Sequence, residues 1–374
     1  MIGKREVLLI VSVALLFLMG LIMVYGTSSA EILDDFVSEK GTNAAFIKQL
    51  VGGVLGIMVA LCCCLLNYHN IIKLSRFLLP FSIFLLVLTF VPGIGLERNG
   101  AHRWIALGGV SFQPSEMIKL VLPLFYIDRI RGINPSDLNL RLLFKLLWPL
   151  FIPLGLIFLE PDNGTIGLIG LLMIVLFFIS GISWKYWLVP VICASLFFCV
   201  AAYNIPYVKA RISSYMNPEA DILGKGHQPY QARIAVGSGR LTGRGLGRSL
   251  QKYNYLPEAQ NDYIAAIYAE EFGFLGILFL IILYGMIVLL GSNIALSSPS
   301  REGGLLAFTV VFLIILQAFL NLGVVSSLLP STGLNLPFFS QGGTSLLLNF
   351  ACIGILFNIA LSENREAELK MEHL

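Results

Sequence analysis

The sequence predicts an all-α polytopic integral membrane protein with about ten transmembrane helices. Three observations predict it. Of the 374 residues, 57% are hydrophobic and 13% charged, where soluble domains carry about 25% charged residues. Mean hydropathy is +0.82. The apolar residues gather into runs of roughly twenty, the length a helix needs to cross a bilayer core.

The first run extends from Val7 to Gly26 behind Lys4 and Arg5, and Ser28-Ser29-Ala30 follows it. A charged start and a small-residue end are also the marks of a secretory signal, but this apolar core exceeds the usual 7–15 residues of one. An uncleaved first helix is expected. Further runs cover 47–66, 77–95, 113–131, 142–159, 164–182, 186–204, 262–291, 305–326 and 345–361. The chain reads as one transmembrane domain over 1–374, with a large loop at 205–261 and a tail at 362–374.

Short-loop cations set the orientation. Lys4, Arg5, Lys73, Arg76, Arg129, Arg131, Arg141, Lys145, Lys185 and Arg301 alternate onto one side, whereas the 28–45 loop carries Glu31, Asp34, Asp35 and Glu39. Both termini are therefore expected in the cytoplasm, with the 96–112, 205–261 and 327–344 segments facing outward.

Composition also excludes classes. A net charge of +3 is too small to suggest nucleic-acid binding. All six cysteines (Cys62, Cys63, Cys64, Cys193, Cys199, Cys352) lie within apolar runs, away from loops where a disulfide would form. His69, His102, His227 and His373 are scattered and show no His-based metal cluster.

Charge at the membrane boundary marks the candidate site. Tyr253 to Gly276 is a polar entry into an apolar run. A helix starting at Pro257 would set Glu258 and Asp262 one turn apart on one face. Asp262 is the first catalytic candidate; the alternative is a pair of helix-start carboxylates favoured by the macrodipole. Glu270 and Glu271 lie two turns below, so one of them must face the bundle interior or be protonated.

Gly237 to Arg248 interleaves glycines with cations, and Arg240, Arg244, Arg248 and Lys252 recur every four residues. It lacks the Gly-Lys-Ser/Thr of a P-loop. Exposed amides and guanidiniums suit a phosphate or pyrophosphate; contact with anionic lipid head groups is the alternative.

Gln113-Pro-Ser-Glu-Met-Ile-Lys119 opens the fourth run, with Glu116 and Lys119 placed to pair, or to snorkel. Glu160-Pro-Asp-Asn-Gly-Thr165 is a short outward turn in which Asp162 can cap the next helix. The uncharged, hydroxyl-rich 327–344 segment is tolerated at membrane depth only where buried in protein or lining a wet cavity, and so reads as a wall of the site.

Six segments in order resemble those of the SEDS family, the FtsW/RodA/SpoVE polytopic glycosyltransferases: Arg98-Asn-Gly-Ala-His-Arg-Trp-Ile105, Phe112 to Lys119, Glu160 to Thr165, Tyr230-Gln231 leading into the Gly/Arg stretch, Leu256 to Tyr263 with Glu270 to Gly273, and Leu329 to Gly343. The Pro-Glu-Ala opening and the Asn-Gly-Ala-x-Arg-Trp form look more like the division type, FtsW, than the elongation type, RodA. Gln260-Asn261 stands where the family usually has His-Thr, and Gln341 where it usually has Tyr. A polar Asn261 can replace a threonine hydrogen bond.

The resemblance implies polymerisation of lipid II into septal glycan strands, by transfer of a growing undecaprenyl-pyrophosphate-linked glycan to the 4-hydroxyl of an incoming GlcNAc. Asp262 is then the general base, with Glu258 tuning it or holding a metal. Lys119, Glu116, Gln113, Ser115, Arg103, Asp162, Gln231, Arg244, Lys252, Ser340, Gly342 and Gly343 are implied to bind substrate. No organic cofactor is implied; a divalent cation (Mg2+ or Mn2+) on Asp262 and Glu258 is left open. The implied partners are a class B penicillin-binding protein and other cell-division proteins, and the implied place is the bacterial cytoplasmic (inner) membrane, with the active site on its extracytoplasmic side. A lipid II flippase is the competing class: it would use the same cationic groove without chemistry.

Overall fold

The computed structural model describes residues 3–34, 44–98, 101–107, 110–131, 140–203, 206–217, 224, 226–252 and 260–372. In chain order these form α1 (Lys4–Asp34), α2 (Ala44–Leu65), α3 (Tyr68–Leu88), β1 (Gly95–Arg98), β2 (Ala101–Leu107), β3 (Val110–Phe112), α4 (Pro114–Ile130), α5 (Leu140–Leu159), α6 (Asn163–Ile179) and α7 (Trp184–Tyr203). There follow α8 (Pro206–Met216), α9 (His227–Gly239), α10 (Ile264–Ser297), α11 (Arg301–Val325) and α12 (Gly343–Glu372).

A helix stands at each predicted apolar run. Among the described residues, six stretches, in α1, α2, α3, α10, α11 and α12, are long and apolar enough to cross a membrane. Large apolar side chains such as Leu61, Phe77, Phe178, Leu196 and Leu289 point outward with over half their surface exposed, as a lipid-facing belt requires. The inner helices are α4, in which all residues but Met117 and Arg129 are buried, and α11 and α12, with 61% and 83% of their most apolar windows buried, against 22% for α2. The described cysteines are free thiols.

Several elements differ from expectation. The third helix starts at Tyr68, well before the apolar run, because the Asn67 side chain caps it by accepting from His69 N. Asn358 on α12 then locks the α2–α3 turn: its Oδ1 accepts from Tyr68 N, and its Nδ2 donates to the carbonyls of Cys63, Cys64 and Leu66. The 96–112 loop contains an antiparallel sheet of order β1-β2-β3, with a bulge between Leu96 and Glu97. The long 205–261 segment holds two helices, α8 and α9. Asp262 lies in a turn before the N-cap of α10, Tyr263, and Glu258, expected one helical turn before it, lies outside the described residues. The tail continues α12 as a helix to Glu372.

One irregularity matters for the site. α10 breaks at Gly273, where φ is 66° and ψ −161°. The chain after α9 repairs the break: Arg244 and Gly245 donate backbone N–H to the carbonyls of Glu270 and Glu271 at 2.9 Å, and Phe274 and Leu275 donate to Arg240 and Leu241 at 2.9 and 3.1 Å. Non-helical backbone survives at membrane depth because protein satisfies it.

Gly273→Ala should therefore be severe. It adds about 1–3 kcal/mol of backbone strain, and its Cβ would strike the backbone of Gly243 and Leu241. The expected result is a lower unfolding temperature in detergent, while Gly285→Ala, whose Cβ meets nothing within 4 Å, leaves it unchanged.

Candidate functional site

Between α11 and α12 the chain runs without regular structure, and buried amides hold it. From α11, Gln317 Nε2 donates to Asn335 O at 2.9 Å, and one turn later Asn321 Nδ2 donates to Leu334 O at 2.7 Å. Gln49 of α2 donates to Ser340 O at 3.1 Å, and the Tyr284 hydroxyl of α10 to Pro337 O at 2.7 Å. Ser340 Oγ accepts from Leu336 N at 2.8 Å within the segment. The middle of the 327–344 segment, from Leu334 to Ser340, is largely buried in protein while Leu328 and Gly343 are exposed, and its amide anchors were not anticipated.

Asp262 is tied to this wall. Asn321 Nδ2 donates to Asp262 O at 2.8 Å while holding Leu334, and Gln341 N donates to Gln260 O at 3.0 Å. A Cβ built on Gly333 would lie 3.6 Å from Asp262 Oδ2 and 3.9 Å from Arg211 Nη2. The carboxylate and the guanidinium therefore face the same bare glycine. Arg211 comes from α8 and donates from Nη1 to Ser331 O at 2.9 Å. Beside them lies a cavity of ≈ 20 Å³ lined by Arg211, Arg233, Tyr263 and Ser327 among others, room for about one water.

A second polar cluster touches the other side of the wall. Gln113 N donates to Thr344 Oγ1 at 3.1 Å, and Gln113 Nε2 donates to Ser115 Oγ at 3.1 Å and Asp162 Oδ2 at 3.3 Å. Asp162 caps α6 by accepting from Thr165 N. Arg103 of β2 lies 3.9 Å from Asp162 Oδ1 and donates to the carbonyls of Glu160 and Pro161. Gly164 packs against the Thr332 carbonyl so closely that a side chain there would collide with it. Two turns into α4, Lys119 is fully buried and pairs with Glu116 at 2.5 Å.

Glu160 was seen in the sequence only as part of a turn. It is fully buried, and Thr89 Oγ1 lies 2.7 Å from Leu86 O and 2.8 Å from Glu160 Oε1. A hydroxyl has one proton. That proton is shared between the Leu86 carbonyl and Glu160 Oε1. Burial pushes this carboxyl up to about 8, against the pull of Thr89; the Asp162 charge adds to the rise and Arg103 opposes it.

The Gly/Arg stretch behaves differently from its spacing. Positive φ at Arg240, Gly243, Gly245 and Gly247 breaks any helix, so its cations do not form a stripe. Arg244 Nε sits 3.4 Å from Glu270, and Lys252 Nζ 3.1 Å from Glu271. Ser249 Oγ and the backbone N–H groups of Leu250 and Gln251 also donate to Glu270. Both carboxylates face inward, surrounded by donors. Gln231 is half-buried on α9; Gly342 packs against Asn335; Gly343 opens α12 with open space at its Cα.

Asp262 is the described member of the pair expected to hold a cation. Among the described residues no three His, Cys, Asp or Glu side chains gather into a metal site, so no step is derived through a metal.

These features define a class: a helical membrane protein whose helix ends and one non-helical wall build a buried polar site at one end of the bundle. The chain belongs to the FtsW/RodA/SpoVE cell cycle protein family, which it matches over residues 6–365. It is 35% identical to stage V sporulation protein E of Bacillus subtilis over 95% of this chain and 96% of that one. It is 36% identical to the probable peptidoglycan glycosyltransferase FtsW of Nitrosomonas europaea over 95% and 92%. Among solved structures, a chain described under "Structural coordination of polymerization and crosslinking by a peptidoglycan synthase complex" superposes with a TM-score of 0.74 at 26% identity, over 95% of this chain and 97% of that one. Rod shape determining protein RodA of Thermus thermophilus gives 0.67 at 25%, over 95% and 96%.

Two outcomes follow from this geometry. Ionising buried Glu160 disfavours the folded state, so stability is full below the ordinary carboxylate range and falls as pH rises through about 8. Glu160→Gln should flatten that fall in thermal unfolding measured from pH 6 to 9. Lys119→Met leaves Glu116 buried without its cation, at a cost of about 3–5 kcal/mol. Adding Glu116→Gln should recover most of the lost unfolding temperature.

Proposed function

We propose that the chain is a peptidoglycan glycosyltransferase that polymerises lipid II during bacterial cell division. The observation that carries the reading is that Asp262 and Arg211 both face Gly333, on a wall held by Asn321, in a chain of this family. The similarity to proteins named FtsW supports the division role over elongation.

Asp262 is the general base. Its carboxylate takes the proton of the GlcNAc 4-hydroxyl as that oxygen bonds to the anomeric carbon of the growing glycan. The anomeric carbon–oxygen bond to pyrophosphate breaks, and the electron pair leaves with the pyrophosphate, which needs positive charge and no general acid. Lys119, Arg244 and Lys252 are each paired with a carboxylate here, and Arg103 lies beside Asp162. Arg211 is the guanidinium set beside Asp262, which suits it to the leaving anion. Beside it the cavity of ≈ 20 Å³ between α8, α9 and the 327–331 segment is far smaller than a sugar ring.

In this reading the chain spans the bacterial cytoplasmic membrane ten times with both termini inside, and the site faces outward. Its glycan strands pass to a class B penicillin-binding protein working beside it with other division proteins. A divalent cation on Asp262 and Glu258 is a separate proposal, read out by chelation and by Mg2+ or Mn2+ add-back.

The deciding assay is polymerisation of labelled lipid II by the purified chain with a transpeptidase-inactive partner. Asp262→Ala at matched folding should reduce glycan strands by at least about 100-fold. Equal polymer from wild type and variant would remove Asp262 from catalysis. No polymer from a folded wild type would turn the question to lipid II translocation.

A further inference from the structure

At the opposite end of α4 lies a feature that the polymerase reading does not use. A cavity of ≈ 730 Å³ opens between α3, α4 and α5, with Arg76, Ile83, Phe125, Arg129, Trp148 and Ile152 among its lining. Arg129 is sixteen residues beyond Gln113, about 24 Å along the helix. Its volume is within the range of about 300–1,000 Å³ typical of ligand sites.

The cationic end is built. Arg76 donates from Nε and Nη2 to the two oxygens of Asp128 at 2.5 and 3.0 Å. The Asp128 side chain is 1% exposed while that of Arg76 is 61% exposed, so the guanidinium is held from behind and faces out. Arg129 is exposed on the next position and lies 5.0 Å above the Phe125 ring. Pro80 and Pro149 also line the cavity. Each deletes a helical hydrogen bond to the carbonyl four residues back, Arg76 and Lys145, at this same end.

Charge arithmetic names the occupant. Among the described lining residues, two guanidiniums against one carboxylate leave one positive charge beside an apolar groove on a lipid-facing surface. One phosphodiester carries one negative charge, and its acyl chain matches Ile83, Trp148 and Ile152. Snorkelling alone would send the two arginines outward independently; here an ion pair and a ring fix both at one cavity mouth. We propose that this groove binds one anionic glycerophospholipid, its phosphate between Arg76 and Arg129 and one acyl chain along α5. Since the cations that line this end are those expected in the cytoplasm, the lipid belongs to the inner leaflet. It is therefore distinct from any substrate at Asp262.

Native mass spectrometry of the purified full chain, titrated with dioleoyl phosphatidylglycerol and separately with dioleoyl phosphatidylcholine, tests this. The wild type should retain one phosphatidylglycerol with at least tenfold preference. Arg129→Gln, which leaves the Arg76–Asp128 pair intact, should remove most of that preference, and Arg129→Lys should restore part of it. Ile152→Trp should block retention by filling the groove. Equal retention of both lipids, or an unchanged preference in Arg129→Gln or Ile152→Trp, would overturn the proposal. Retention of neither lipid would assign the groove to a protein segment and overturn it equally.

Discussion

The site depends on side-chain amides holding unpaired backbone where a bilayer supplies no hydrogen bonds. The 327–344 segment has no ladder of its own, and each unsatisfied peptide group in a low-dielectric interior costs several kcal/mol. Gln317 and Asn321, one turn apart on the inner face of α11, donate to Asn335, Leu334 and Asp262. The same amide nitrogen that fixes the wall fixes the backbone of Asp262. Removing it would loosen both at once, so the position of Asp262 is a property of α11 as much as of α10.

A second use of this constraint explains the buried acids. α10 breaks at Gly273, and the loop after α9 fills the exposed amides and carbonyls. To lie there, the loop carries Ser249, Lys252 and Arg244 to Glu270 and Glu271. The two carboxylates thus act as internal anions for a glycine-rich cationic loop, a motif whose chemistry alone suits phosphate equally well. Sequence cannot distinguish an anion supplied by the same chain from one supplied by a ligand, because donors and spacing are the same for both.

That distinction also separates what was legible in the residues from what was not. Hydropathy located a helix at each apolar run, since lipid-facing surface leaves no other composition. It misplaced the start of α3, because His69, Asn70, Lys73 and Arg76 hide the first two turns from an apolar window, while the Asn67 cap and the Asn358 clasp act through hydrogen bonds. It passed over β1 to β3 and over α8 and α9, short polar elements held by the bundle. Arg211 was missed for that reason: as one of eight loop cations it had no face, and α8 gives it one. Asp262, Asp162 and Gln113 were legible because polar groups at the ends of apolar helices are conspicuous. Glu160 was not, because burial rather than residue type makes it matter.

The pairing of charges bears on how a pyrophosphate could be received. On the proposed reading, a site that receives a pyrophosphate gains by not keeping isolated guanidiniums buried between turnovers, since an isolated buried charge costs more than most contacts return. Storing Lys119 against Glu116 and Arg103 near Asp162 keeps cations present at low cost. An arriving anion then competes with a resident carboxylate instead of meeting an empty charge. Arg211 comes from α8 rather than from the bundle core, and its place facing Gly333 depends on how α8 rests against Ser331.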